Sequence, residues 1–157
     1  MTLTAHISAG SAVAVATGNP VLGFFAGLIS HHLLDAVPHS DLGSLGGNIH
    51  NILKDRKNLL YVFADIFIGL IVFIFIAIKI ADFSLVFWSV GGAILPDVID
   101  NSPFWSVRAR ETFLGRYYHK LHETVHFTIT NKKYFYLGLL TQLAVILFCL
   151  YYVFIKT

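Results

Sequence analysis

Hydrophobic and polar positions fall along this chain in long blocks. Leu59 to Ile80 contains one acid, Asp65, and one lysine at its end, and Tyr134 to Ile155 contains no charge. About 20 consecutive apolar residues cross a bilayer core as a helix, so both blocks read as spans. Phe83 to Ile99 is shorter, carries Gly91, Gly92 and Pro96 and ends in polar residues; it reads as a third helix packed against its neighbours. Two more apolar stretches, Ala5 to Thr17 and Val21 to Asp35, flank the turn signal Gly18-Asn19-Pro20. Each is short for a full span, and together they suit a helical hairpin dipping into a membrane. Gly10, Ala12, Ala14, Gly23, Ala26 and Gly27 allow close helix contact within it. The pattern predicts an all-α, multipass membrane helical bundle, a single domain over 1–157, with helices at about 5–17, 21–36, 59–80, 83–99, 108–127 and 134–155.

Composition supports the bilayer as solvent. Hydrophobic residues make up 56% of the chain and charged ones 13%, against about 25% charged in soluble domains. Disordered chains are poor in Phe, Ile and Leu, so disorder is excluded. A net charge of +2 gives no basic field for a nucleic-acid partner. The single Cys149 excludes an internal disulfide framework and a cysteine-based zinc site. No Lys or Arg precedes Lys54, so the positive region of a secretory signal is missing. Against this background stand eight histidines and seven aspartates.

Charge placement adds a topology. Of the 11 basic residues, only Lys79 and Lys156 fall beyond the far ends of the spans. By the positive-inside rule the others mark the cytoplasmic face of a bacterial-type inner membrane, and the N-terminus lies there too. His6, His31, His32, His39, His50, His119, His122 and His126 then gather at that face, as do Asp35, Asp41, Asp97 and Asp100. Asp65 lies about 9 Å into its span, at 1.5 Å per residue.

Three constellations carry candidate chemistry. In SHHLLDAVPHSD, His31 and Asp35 are four apart on one helix face, and Pro38 breaks the helix so that His39 turns back; His32 points elsewhere on the helix. Imidazole with carboxylate is a ligand set for zinc and similar divalent ions. In GGAILPDVIDNSPF, Asp97 and Asp100 share a face, and close carboxylates repel unless a cation or proton sits between them. In HKLHETVH, His119, His122 and His126 share a face, and His122 to His126 matches H-E-x-x-H, with Glu123 as the residue that would activate water. His6 opens the chain near the same face, and Asp65 is an intramembrane acid whose partner is expected to be a metal or a ligated histidine. Phe104 to Tyr118 mixes aromatics with arginines, as an interface-lying helix does. Arg116 and Lys120, beside the histidines, are candidates to hold a phosphate.

At these residues the chain resembles the YdjM-like membrane-bound, metal-dependent hydrolases. That family shows a His near the start, a PDID-type acidic motif, an HRGxTHS-type histidine motif and an LSHILAD-type segment. Here His6, LPDVID (Leu95 to Asp100), HKLHETVH (His119 to His126) and LISHHLLD (Leu28 to Asp35) stand in their places, with the last segment moved to the front. The resemblance implies Asp97, Asp100, His126, His31 and Asp35 as site residues, with His119 or His122 as the second histidine of its pair. A wider similarity to the all-helical zinc phospholipase C and single-strand nuclease group implies phosphoester cleavage.

The expected protein is therefore a membrane hydrolase with one to three divalent ions, zinc first and manganese or iron as alternatives. His31, Asp35, Asp97 and His126 are the first expected ligands. His6, His39, Asp65, Asp100, His119 and His122 would supply a further ion or its surroundings. The expected substrate is a small-molecule or lipid phosphoester. Two other classes stay open: an intramembrane zinc protease built on His122, Glu123 and His126, and a non-enzymatic metal-binding membrane protein. The sequence fixes no oligomeric state.

Overall fold

The computed structural model describes residues 1–45 and 54–157; His50 lies outside them. Among the described residues, seven α-helices run in the order α1 (Leu3–Thr17), α2 (Pro20–Asp35), α3 (Arg56–Ile80), α4 (Phe83–Asp100), α5 (Ser106–Glu111), α6 (Phe113–Val125) and α7 (Phe135–Lys156), with short 3-10 turns at Leu42–Leu45 and Lys132–Tyr134. No strand occurs among the described residues, only an isolated bridge between His39 and Thr128.

Local chemistry sets the boundaries. Gly18, at φ 57°, closes α1 in the left-handed region, which glycine enters without steric penalty. The Asn19 side chain then accepts from Val21 N and Leu22 N, and Pro20 opens α2. Asp55 and Asp82 cap α3 and α4 in the same way. The expected helix over 108–127 is in fact two. Thr112 is extended; its hydroxyl donates to Ala109 O at 2.7 Å and accepts from Gly115 N at 3.0 Å, ending α5 and capping α6. α6 stops at Val125, because the next amide available, Phe127 N, donates instead to Asp35 O at 2.7 Å.

Helix α1 is the centre of the bundle, and α2, α3, α4 and α7 pack around it. Ile7 and Ala14 meet Ile76 of α3, Val86 and Val90 of α4 and Val153 of α7 in one apolar core. α2 and α4 approach until backbones touch: Gly92 faces the Phe24 carbonyl, and Gly27 faces Ser89 O and Ala93 N. Among the described residues, three helices, starting at Arg56, Phe83 and Lys132, are long and apolar enough to cross a membrane. Their outward residues, including Phe63, Phe67 and Ile78 of α3 and Leu140, Leu147 and Phe148 of α7, are exposed.

One end of the bundle is sealed by hydrogen bonds. His39 N donates to Phe127 O and Ile129 N to His39 O, clipping the segment after α2 to the segment after α6. Ser40 and Thr141 tie the first segment to the start of α7 through Phe135 O and Pro38 O. The Gln142 amide donates to Ser40 O and accepts from Thr2 N, joining α7 to the start of α1.

The glycine contacts make opposite predictions at adjacent positions. A Cβ at Gly92 would collide with the Phe24 backbone, whereas one at Gly91 would meet nothing within 4 Å. Gly92→Ala is expected to destabilise the protein by about 1–3 kcal/mol, as overpacking does. Gly91→Ala is expected to stabilise it by about 0.5–1 kcal/mol by reducing backbone entropy. Unfolding of the two variants in detergent, measured beside the parent chain, checks both signs.

Candidate metal centre

The centre is built around Asp35, the last residue of α2, whose side chain is fully buried. On its two oxygens converge the Nε2 atoms of five histidines: His31 at 3.0 Å, His6 at 3.3 Å, His122 at 3.4 Å, His126 at 3.6 Å and His39 at 3.9 Å. The Met1 amino group also touches Asp35 Oδ1. Asp97 comes from α4, its oxygens 3.7–3.9 Å from the Nε2 atoms of His6, His31 and His122.

The other ring nitrogen explains why these imidazoles present Nε2. His31 Nδ1 donates to Ala93 O at 2.8 Å and His39 Nδ1 to Val37 O at 2.8 Å. His122 Nδ1 donates to Asp100 Oδ2 at 3.0 Å, and His126 Nδ1 bonds Thr128 Oγ1 at 2.9 Å. A carbonyl or carboxylate can only accept, so in His31, His39 and His122 Nδ1 carries a proton. Nε2 offers a lone pair when the ring is neutral, and carries a second proton where it donates to a carboxylate, as His122 does to Asp35 and His39 to Asp41. This is how metal-binding histidines are oriented. With both rings neutral, His31 Nε2 and His122 Nε2 would be two acceptors 3.2 Å apart beside two carboxylates. Only a cation or a shared proton satisfies that arrangement.

His6 supplies an independent indication. Its ring is fully buried and stacks on His31 at 4.1 Å between centroids; Nδ1 has no hydrogen-bond partner, and Nε2, 3.3 Å from Asp35 Oδ1, is not aligned for a hydrogen bond to it. A buried polar group left unpaired is costly, and a ligand in the cluster removes that cost.

Two ligand groups share Asp35. His31, Asp35, Asp97 and His122 each place a donor atom within 4.8 Å of the others, and so do Asp35, His39 and His126. Buried His and Asp groups here can therefore hold a metal ion. Asp41 borders the second group, with Oδ2 at 3.1 Å from His39 Nε2 and 3.3 Å from His126 Nε2. His32 forms a third group with His31 and His122.

Charge follows the geometry. Burial alone would lower the His122 imidazole, but its bonds to Asp100 and Asp35 outweigh this and push it up to about 9. Burial would likewise raise the Asp41 carboxyl, and the His39 bond leads the effects that hold it down at about 2. His126 has no charge-assisted bond of comparable strength, and burial keeps it below its ordinary value.

Several sequence expectations take different roles. Asp100 faces away from the ligand atoms: it accepts from His122, from His119 Nδ1 at 2.8 Å and from Arg110 Nε at 3.2 Å, so it orients the histidines. His119 is thereby held beside the centre and joins none of the ligand groups. Glu123 is 70% exposed, touching only the outer edge of His119 at 3.5 Å. The H-E-x-x-H face is broken because α6 ends before His126, which is extended. Arg116 and Lys120 are exposed, and Arg116 reaches only Glu111 O.

Asp65 is not brought to the centre. Thr2 begins α1 without a side-chain cap, and Asp65 supplies one from α3, accepting from Leu3 N, Thr4 N and Thr4 Oγ1 at 2.7–3.1 Å. Sequence reasoning missed Asp41, Arg110 and the proximity of His32. Asp41 stood inside the first motif and was the most accessible of the three; nothing in local spacing marks Arg110, whose partner Asp100 is on another helix.

No protein-family model, curated protein or solved structure matches the chain. The geometry carries its own test of Asp65. Asp65→Ala is expected to lower stability by about 0.5–2 kcal/mol, the usual loss of a helix cap. In a double-mutant cycle it should couple to Thr4→Val, with about 0.5–3 kcal/mol of non-additivity. It should add independently to His126→Ala, which shares no partner with it. Denaturant unfolding of the three single variants, the two double variants and their parent measures both cycles.

Proposed function

We propose that the protein is a multipass membrane, metal-dependent hydrolase acting on a phosphoester from the cytoplasmic face of a bacterial-type inner membrane. The observation that carries this reading is the sharing of Asp35 by two ligand groups at one end of a bundle with three membrane-length helices. The basic residues cluster at that same end, around the starts of α3 and α7 and along α5 and α6, which supports the cytoplasmic assignment. The resemblance to the YdjM-like hydrolases points to the same chemistry.

In this reading His31, Asp35, Asp97 and His122, with His6 beside them, would hold one ion, and Asp35, His39 and His126 would hold another. A bound divalent cation, zinc first or else manganese or iron, lowers the pKa of its water towards about 7 and supplies hydroxide at neutral pH. Asp97 and His126, at 23% and 22% exposed, form the open side through which water and an anionic substrate oxygen enter. Asp100 keeps the His122 proton on Nδ1, and Ala93 O does the same for His31. Asp41 adds negative charge beside the second group. The ion pairs thus fix where each lone pair points before a substrate arrives.

Elemental analysis of detergent-purified protein, prepared without chelators, is expected to show at least stoichiometric transition metal. Hydrolysis of a chromogenic phosphodiester should accompany it. Asp35→Asn should lose metal and activity together, and Asp100→Asn should weaken affinity or activity by about 10–100-fold, as loss of a ligand-orienting partner does. A parent chain without transition metal overturns the reading. Metal without phosphoester hydrolysis removes the substrate assignment.

A further inference from the structure

Helix α6 has three faces rather than two. At about 100° per residue, Gly115, Tyr118, His119 and His122 share the side turned to the bundle. Phe113, Leu114, Tyr117 and Leu121 occupy a second side and are exposed, Phe113 and Leu114 at 84% and 77%. Arg116, Lys120 and Glu123 form a third, also exposed. A helix on a water-bathed globule needs one face for protein and one for water. A helix at the junction of protein, hydrocarbon and water needs a third. The approach to α6 repeats the pattern, with Phe104, Trp105 and Val107 exposed beside Arg108.

We infer that the α5–α6 unit lies in the headgroup region of the bilayer and binds anionic lipid there. Phe113, Leu114, Tyr117 and Leu121 enter the acyl boundary, and Arg108, Arg116 and Lys120 meet the lipid phosphates. The inference rests on the membrane-spanning reading proposed above. Three observations select lipid as the occupant. The unit is tethered at both ends to helices of membrane-spanning length, α4 and the segment Lys132–Lys156. Its free cations outnumber its acids, since Arg110 alone among the arginines is engaged by Asp100 while Glu111 and Glu123 are the only acids in α5 and α6. Trp and Tyr among its exposed aromatics are the residues that settle at membrane–water boundaries. Because His122 projects from the opposite side of α6, the metal centre is held at headgroup depth.

Single-tryptophan proteins reconstituted in vesicles test this. One, Trp105→Phe, keeps only Trp88 in α4; the other, Trp88→Phe with Trp105→Phe and Phe113→Trp, reports from the outer face of α6. Leu114→Trp in the same background is an independent reporter if Phe113→Trp fails to fold. Lipids carry bromine near the headgroup end or near the middle of the acyl chain. Both reporters should be quenched, the α6 reporter most by bromine nearest the headgroup. Its emission should shift blue when phosphatidylglycerol replaces phosphatidylcholine, and Arg108→Glu with Arg116→Glu and Lys120→Glu should abolish that shift. Quenching of Trp88 without quenching on α6 overturns the inference and leaves the spans standing; water or a protein partner then covers the face. Quenching on α6 with no response to anionic lipid overturns the lipid assignment. If neither reporter is quenched, the membrane-spanning reading fails and this inference with it.

Discussion

A carboxylate sealed from solvent is the constraint on which this structure depends. Burying an ionised carboxylate costs several kcal/mol even after relaxation, and Asp35 is fully buried. The chain meets that cost with imidazoles drawn from α1, α2, α6 and the segments that follow α2 and α6. Each must arrive with Nε2 towards the carboxylate, and a proton or a cation must lie between the two. The requirement explains features that would otherwise look unrelated: α6 stops where Phe127 N finds Asp35 O, the chain after α2 folds back, and α1 runs through the middle of the bundle so that His6 reaches the cluster.

Convergence at this density is possible only because the helices can approach closely. Backbone contact between α2 and α4 at Gly27 and Gly92 lets Ala93 O accept the His31 proton directly. A larger residue at either glycine would separate the helix that carries His31 and Asp35 from the helix that carries Asp97. Packing and ligand orientation are thus one problem at this interface. The small residues that sequence reading assigned to helix contact also set the tautomer of a candidate ligand.

The helices of membrane-spanning length and most of the residues that gather around Asp35 were legible because their signals are local. Apolar block length marks a spanning helix, and His31 with Asp35 declares a shared face by its spacing. The errors are long-range. Asp65 and Asp97 carry the same letter in or at the end of apolar helices, and only the neighbouring helix decides that one receives the amides of α1 while the other faces imidazoles. The break at Thr112 was readable in principle, since Thr before Phe-Leu-Gly is a capping residue. The continuous run of helix-compatible residues on both sides concealed it. The H-E-x-x-H match assumed a helix through His126, and that helix is ended by a hydrogen bond to a residue far away in sequence.

The seven aspartates show what letter identity leaves open. Asp35, Asp41, Asp97 and Asp100 surround the histidines, while Asp55, Asp65 and Asp82 receive the amides at the starts of α3, α1 and α4. Both uses favour a short carboxylate with few rotamers, because a cap and a ligand each need an oxygen fixed close to the backbone. Both also satisfy a polar group that an apolar helix bundle would otherwise leave unpaired. The two sets separate by the donor each one meets. Caps meet N–H groups, which already carry their hydrogens. Asp35 and Asp97 face Nε2 atoms, and His31, His39 and His122 already hold a proton on Nδ1, so a second imidazole proton or a cation has to lie between ring and carboxylate, in addition to the Met1 amino group that touches Asp35. That need for added positive charge, rather than the count of histidines, makes the cluster a candidate metal centre rather than a polar helix end.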